Sequence, residues 1–352
     1  MDPISQGVLG AVAAQSLAPK SKQKQAALLG ALSGMAPDLD VLIRSSQDPL
    51  LALEFHRQFT HSLLFIPLGA LLCAVVFRFV FRFSLGFQKI LCYAALGYAT
   101  HALLDACTSY GTQLLWPISD HRFSWDTVAV VDPMVTLPLL LCAISAARMA
   151  QARWARIGVV WVFFYIGILG SWQHERAVAA GQAIALSRGH EKVLVSAKPT
   201  LGNLILWKSI YSDRDGTHFY VDAIHAGGTV TYLPGDSVPR LDLQRDFPWL
   251  AEETQQYADI GRFAWFSQDY LAVDPRAPNR IGDIRYSMLP SDIEPLWAVQ
   301  LNPEASATAH VQFVTQRSVT AERFTAYRAQ LAGIDFLTLP NAHDNAEVER
   351  SP

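Results

Sequence analysis

The chain has 352 residues, 51% of them hydrophobic and only 17% charged, with 28 Lys and Arg against 31 Asp and Glu for a formal net charge of −3. An average soluble domain carries roughly 25% charged residues, so this composition excludes a disordered, collagen-like or disulfide-framework protein. A pI near 6.4 excludes a general nucleic-acid binder, which needs a basic stripe to neutralise phosphates, and no nucleic-acid partner is expected.

The hydrophobic excess falls almost entirely before residue 173. In chain order, Ile4 to Ala18 and Ala26 to Ala36 are short runs rich in Gly and Ala, suited to close helix packing. Asp2 stands where a cleavable signal peptide would carry basic residues, which argues against one. Leu63 to Phe81 is the strongest apolar run; as a helix it would measure roughly 28 Å, close to the hydrocarbon thickness of a bilayer. Ile90 to Ala106, Val128 to Ala147 and Ile157 to Trp172 follow. The expectation is an α-helical transmembrane bundle of about four to six membrane helices over residues 1–173. If all six runs cross in turn, Lys20, Lys22 and Lys24, then Arg82 with Lys89, then Arg148, Arg153 and Arg156 fall on one side, which the positive-inside rule makes cytoplasmic.

The opposite, periplasmic side then collects the polar residues. Asp38 and Asp40 lie in APDLD, after Pro37 stops a helix. His56 and His61 lie in HRQFTHS; they are five apart, so the chain must turn if both point inward. His101 and Asp105 are four apart in HALLD and share one helix face. Imidazole with carboxylate is the ligand set of a hard-to-borderline divalent ion. Asp38, Asp40, His56, His61, His101 and Asp105 are therefore the expected metal ligands, in a mononuclear or dinuclear site for Zn2+, with Mn2+ or Mg2+ as alternatives. Arg57, beside His56, is a candidate catalytic residue that would hold a phosphate or carboxylate. Thr60 could orient a ligand or cap the following helix, and the cap is the expected role. Polar residues continue through Thr108, Asp120, Arg122, Asp126 and Asp132, and Asp120 is taken as a second catalytic candidate. Cys73, Cys92, Cys107 and Cys142 show no CxxC spacing and read as small buried hydrophobes.

The segments MDPISQGVLG, GMAPDLD, HRQFTHSLL, GYATHALLDACTSYGTQLLWP, SDHRFSWD and VVDP, in that order, resemble the bacterial inner-membrane family described as LexA-binding, inner-membrane-associated metal-dependent hydrolases. The resemblance covers residues 1 to about 173; LILWKSIY and RYSMLPSDIEPLWAVQL further resemble the C-terminal extension of one subgroup. It implies a multi-spanning membrane hydrolase whose metal ligands map onto the six residues above. Many members carry a Thr-His pair near the N-terminus where Ser5 and Gln6 stand here, and Gln6 is a poor ligand by comparison.

Residues 174–198 are expected to form a helical stalk, 199–340 a soluble α+β domain with a small antiparallel sheet, and 341–352 a disordered tail. Leu204 to Tyr211, His218 to Ile224, Thr229 to Leu233, Arg262 to Phe266, Ile284 to Met288, Trp297 to Leu301 and His310 to Thr315 have strand-like patterns; Thr320 to Leu331 is a closing helix with Thr320 as its N-cap. The leading functional expectation is a membrane-embedded hydrolase of an ester or phosphoester, with the bilayer as partner and a lipid or lipid-linked substrate. Its rival is a non-enzymatic membrane protein with a structural polar cluster and a partner-binding C-terminal domain.

Overall fold

The computed structural model describes residues 1–81 and 83–340; the expected disordered tail at 341–352 and Arg82 lie outside the described residues. The chain divides into two compact units, one of Met1–Ile43, Phe55–Trp172 and Leu201–Asn203, the other of Arg44–Glu54, Gln173–Thr200 and Leu204–Pro352.

The first unit is helical. Helix α1 (Pro3–Leu17) starts where the Asp2 carboxylate accepts from the amides of Ile4 and Ser5, with Pro3 in the first turn. It packs antiparallel on α2 (Gln23–Met35), and the pair touches backbone to backbone. A Cβ on Gly10 would run into the Gly30 carbonyl, and one on Gly30 into the Gly10 carbonyl. The short helix α3 (Leu51–Phe55) precedes α4 (Ile66–Val80) and α5 (Phe87–Ala106). Gly97 of α5 rests on the Gly30 carbonyl, so α1, α2 and α5 form a tight core layer. Helix α6 (Pro133–Met149) begins where Asp132 Oδ1 accepts from the Met134 amide at 2.9 Å. It ends at Ala150 in the left-handed conformation.

One long helix, α7 (Ala152–Ser187), follows without a break, its middle turns widened to π geometry over Phe163–Gly170. Among the described residues it alone is long and apolar enough to cross a membrane. A second span is obtained only if Leu51–His61 and Ile66–Val80, bent by 87°, are counted as one. The bundle of four to six membrane helices is therefore not what the chain forms, and a multi-pass arrangement loses its support. The physical reason is that the apolar runs do not become equally long helices. Leu63 to Phe81 yields only the 15 residues of α4, about 22 Å of helix against a core of about 30 Å. In Val128 to Ala147 the cap at Asp132 delays helix until Pro133, leaving 17 residues. Helix α5 has 20 residues but includes Gln88, Lys89, His101 and Asp105. By contrast Ile157 to Trp172 is extended at both ends into the 36 residues of α7.

Basic and acidic groups lie at opposite helix ends in this unit. Lys20, Lys22, Lys24, Lys89, Arg148, Arg153 and Arg156 stand at the ends of α1 and α6 and the starts of α2, α5 and α7. Arg156 Nε donates to the Ser16 carbonyl and Lys22 Nζ to Ser84 Oγ, which ties that end together. Asp38, Asp40, Asp105 and Asp132 stand at the other ends.

The second unit is α+β, as expected, but with two sheets. Strands β1 (Val195–Pro199), β2 (Leu206–Ser212), β3 (His218–His225) and β4 (Thr231–Pro239) form an antiparallel sheet. After α8 (Leu243–Asp246) and α9 (Gln255–Ser267), strands β5 (Leu271–Val273), β6 (Arg280–Asp283), β7 (Trp297–Gln300) and β8 (Gln312–Thr315) form a second sheet in that order. Helix α10 (Ala321–Leu331) is capped by Thr320 Oγ1, which accepts from the Arg323 amide, and β9 (Leu337–Thr338) closes the edge of the first sheet beside β4. Two strand expectations fail. Arg262 to Phe266 lies inside α9, whose buried Ile260, Phe263 and Phe266 keep helical spacing. Ile284 to Met288 follows β6 instead of forming it, because Asp283 binds the Arg285 amide and guanidinium and turns the chain.

Candidate metal centre

Three backbone segments deliver the ligands. Pro37 ends α2 and starts a tight 3-10 stretch, Ala36–Leu42, from which Asp38 and Asp40 project. Between α3 and α4 the chain reverses at Arg57, whose φ is +64°, and passes through a second 3-10 turn, Phe59–His61. That is the turn the five-residue spacing of His56 and His61 requires. His101 and Asp105 share a face at the end of α5 and are fully buried.

The ligand atoms converge. His61 Nε2 and His101 Nε2 are 2.9 Å apart. Asp38 Oδ1 lies 3.5 Å from the first and 3.3 Å from the second. Asp105 Oδ2 lies 3.4 Å and 3.8 Å from the same two nitrogens. A tetrahedral zinc site with bonds near 2.0–2.1 Å has ligand–ligand edges of about 3.3 Å, so these four atoms outline such a polyhedron. The outer nitrogens support it. His101 Nδ1 donates to the Gly34 carbonyl at 2.5 Å. His61 Nδ1 faces Thr60 Oγ1 at 2.9 Å and Asp40 Oδ2 at 3.3 Å. A cation between the two Nε2 atoms would take the place of the proton that their 2.9 Å hydrogen bond shares. Asp105 Oδ2 is buried and accepts no hydrogen bond among the described residues, although Arg57 Nε stands 2.9 Å away with its N–H misaligned. These residues fit a divalent ion by their donor set and by that orphaned oxygen.

A second group, Asp38, Asp40 and His56, also offers ligand atoms within 4.8 Å of one another and shares Asp38 with the first. Asp40 does double duty. Its Oδ1 pairs with His56 Nδ1 at 2.7 Å, and its Oδ2 accepts from Thr60 Oγ1 at 2.7 Å and the Arg57 amide at 3.1 Å. Thr60 thus orients Asp40 and His61, and no side chain caps α4, contrary to the expected role. Burial pushes the Asp38 carboxyl up, but hydrogen bonds from His101 and His61 outweigh it and hold the group well below the usual carboxylate range. Asp40 is lowered in the same way, burial being overcome by His56 and His61. Both are anionic oxygen donors at neutral pH.

Asp105 Oδ1 accepts from Gln6 Nε2 at 2.7 Å and contacts the Met1 amino group. The first helix therefore reaches the site through a residue that sequence reasoning set aside as a poor ligand; Gln6 orients a ligand instead of being one. Its only signal in the sequence is a buried amide near the start of an apolar helix. Arg57 is buried, donates from Nη1 to Thr108 Oγ1 at 3.0 Å and lies 4.6 Å from the Tyr110 ring centroid. Asp120 is exposed and joins neither ligand group. Asp132 is an N-cap whose Oδ2 accepts from Tyr165 Oη at 3.0 Å.

A helical unit with a buried His/Asp centre, continuous through one membrane-length helix with an α+β unit, defines the class: a membrane-anchored protein with a candidate metal centre. The family model for the YdjM inner membrane protein matches residues 1–176, and the chain belongs to that family. The chain is also 35% identical over 105 residues to the inner membrane protein YbcI of Escherichia coli (strain K12). That alignment covers 29% of the chain and 60% of YbcI, so the chain spans about three fifths of the length of this curated relative. No solved structure matches. The protein is thus an inner membrane protein; hydrolysis and LexA binding, which the sequence resemblance implied, are not part of either name.

Proposed function

We propose that the protein is a divalent-metal-dependent hydrolase of the inner membrane, acting on an ester or phosphoester of a lipid or lipid-linked substrate. One observation carries this reading: two Nε2 atoms and two carboxylate oxygens converge to outline a tetrahedron, with His61, His101 and Asp105 each oriented from behind. Zn2+ suits two imidazoles with two carboxylates, with Mn2+ or Mg2+ as alternatives. Such an ion, when bound, supplies Lewis-acid polarisation of the scissile group and an acidified water. The chain's own residues do the rest. His61, His101, Asp38 and Asp105 hold the charge, and His56 with Asp40 offers a second position sharing Asp38. Arg57 places a cation beside Asp105, suited to an anionic substrate oxygen.

The site and the α+β unit belong, in this reading, on the periplasmic side. Arg148, Arg153 and Arg156 stand where α7 begins, which the positive-inside rule makes cytoplasmic, and the His/Asp centre stands at the end of the helical unit toward which α7 runs. A reporter fused after residue 200 tests the side; activity in the cytoplasm would invert the assignment. The activity is tested by elemental analysis and a screen of ester and phosphoester lipids on detergent-purified protein, beside the double variant His101→Ala, Asp105→Ala. The expected result is a stoichiometric divalent metal and hydrolysis in the wild type and neither in a folded variant. A wild type free of metal when purified without chelators refutes the reading. A variant that keeps activity would mean that the cluster serves structure instead.

A further inference from the structure

Between Asp40 and His56, the two residues that pair at 2.7 Å, the chain leaves the helical unit. Residues Arg44–Glu54 belong to the second unit, where Leu50 is buried and Arg262 binds two of their carboxylates. Arg262 of α9 binds both oxygens of Asp48, from Nη1 at 3.0 Å and Nη2 at 2.8 Å, and donates from Nε to Glu54 Oε1. The two contacts on Asp48 form the planar fork that only arginine offers, and Glu54 is two residues from His56. The guanidinium is itself fixed from behind: Asp259, fully buried, takes Arg262 Nη1 at 2.9 Å. Asp259 also accepts from Gln255 Nε2 at 3.0 Å, His310 Nδ1 at 2.8 Å and the Val311 amide at 3.1 Å. Asp48 Oδ1 in turn accepts from the Leu50 amide at the start of α3. Arg262 thus fixes the segment at Asp48 and at Glu54, the second of them two residues before His56.

We propose that Arg262 is a positioning residue, which through Asp48 and Glu54 holds the strap at 44–54 so that His56 meets Asp40. The inference rests on the metal reading above. The strap enters the Asp38, Asp40 and His56 group directly; the Asp38, His61, His101 and Asp105 group depends on it less, since His61 follows the turn at Arg57 and two of its members sit on α5.

The test uses the full chain in detergent. Cobalt(II) titration followed by visible absorption reads the two groups as successive equivalents, and hydrogen exchange reads the backbone. Arg262→Ala is expected to weaken the second equivalent by about tenfold, the lower end of the effect of losing an orienting partner, and to leave the first unchanged. Exchange should quicken at 44–57 and not in α5. Asp48→Asn with Glu54→Gln, which leaves α9 intact, should give the same result and add nothing to Arg262→Ala. The proposal is overturned if both variants leave exchange at 44–57 and the second equivalent unchanged. It is overturned equally if both equivalents fall together, since Arg262 would then support the whole fold. A wild type that takes up no cobalt sinks the metal reading, and the strap is then judged on exchange alone.

Discussion

Asp40→Asn examines how the centre is oriented, because it changes charge without changing volume. Four donors converge on this carboxylate: His56 Nδ1 at 2.7 Å, Thr60 Oγ1 at 2.7 Å, the Arg57 amide at 3.1 Å and His61 Nδ1 at 3.3 Å. An asparagine can place its single oxygen toward the Oδ2 partners, but its amide then meets His56 Nδ1, and that ring must change tautomer. Hydrogen bonds to a charged group are worth about 1.5–3 kcal/mol each. Loss of the charge behind His61 with loss of one such bond comes to roughly 2–3 kcal/mol, or about 30- to 160-fold in zinc affinity, at or just above the upper end of the 10- to 100-fold known for outer-shell partners. Competition against a chromophoric chelator measures the constant, with circular dichroism to check the fold. An affinity within about twofold of the wild type in a folded variant would refute the argument that Asp40 orients the histidines.

Other outcomes follow from packing and charge. Gly97→Ala drives a Cβ into the Gly30 carbonyl and Ser33 Oγ; since the carbonyl is backbone, the cost should reach the upper end of the roughly 1–3 kcal/mol typical of overpacking, read as a lower thermal midpoint in detergent. Arg285→Ala strands Asp283, whose buried oxygens take Arg285 Nε at 2.9 Å and Nη2 at 2.7 Å; the loss should be about 3–5 kcal/mol in the α+β unit, and an effect below about 1 kcal/mol would contradict the pairing. Lys208 is buried, with Nζ donating to Ser287 Oγ and the Asp292 carbonyl, each at 2.7 Å. Burial, only partly opposed by Asp292, Asp283 and Asp236, pulls its ammonium down to about 7. The unfolded chain then binds more protons above that pH, so this group makes stability rise from about pH 7 toward its ordinary value near 10.5. Melts between pH 6 and 9 should show the slope in the wild type and a flatter profile in Lys208→Met.

The six candidate ligands were legible because ionisable residues are scarce in residues 1–173, so each stands out against an apolar background. The sequence could also say that His56 and His61 needed a turn, though not that Arg57 at positive φ would make it. Gln6 and Arg262 escaped because their roles depend on partners about a hundred or more residues away: Gln6 meets Asp105 and Arg262 meets Asp48. No local spacing encodes such a pairing. For Thr60 the sequence offers both a cap and an orienting bond, and only the fold selects the second.

By itself, the sequence determined the split into an apolar helical half and an α+β half, and the residues with the chemistry to hold a metal, because composition and side-chain type are local properties. Tertiary structure decided how much of the apolar half is long helix. The cap at Asp132 and the break between His61 and Ile66 shorten runs that hydropathy alone would extend, whereas Ala152–Ser187 continues well past its apolar stretch. It also decided which His and Asp atoms share one centre, since distances of 2.9 to 3.8 Å across α5 and two 3-10 turns are set by packing around the contacts of Gly10, Gly30 and Gly97 and not by order along the chain.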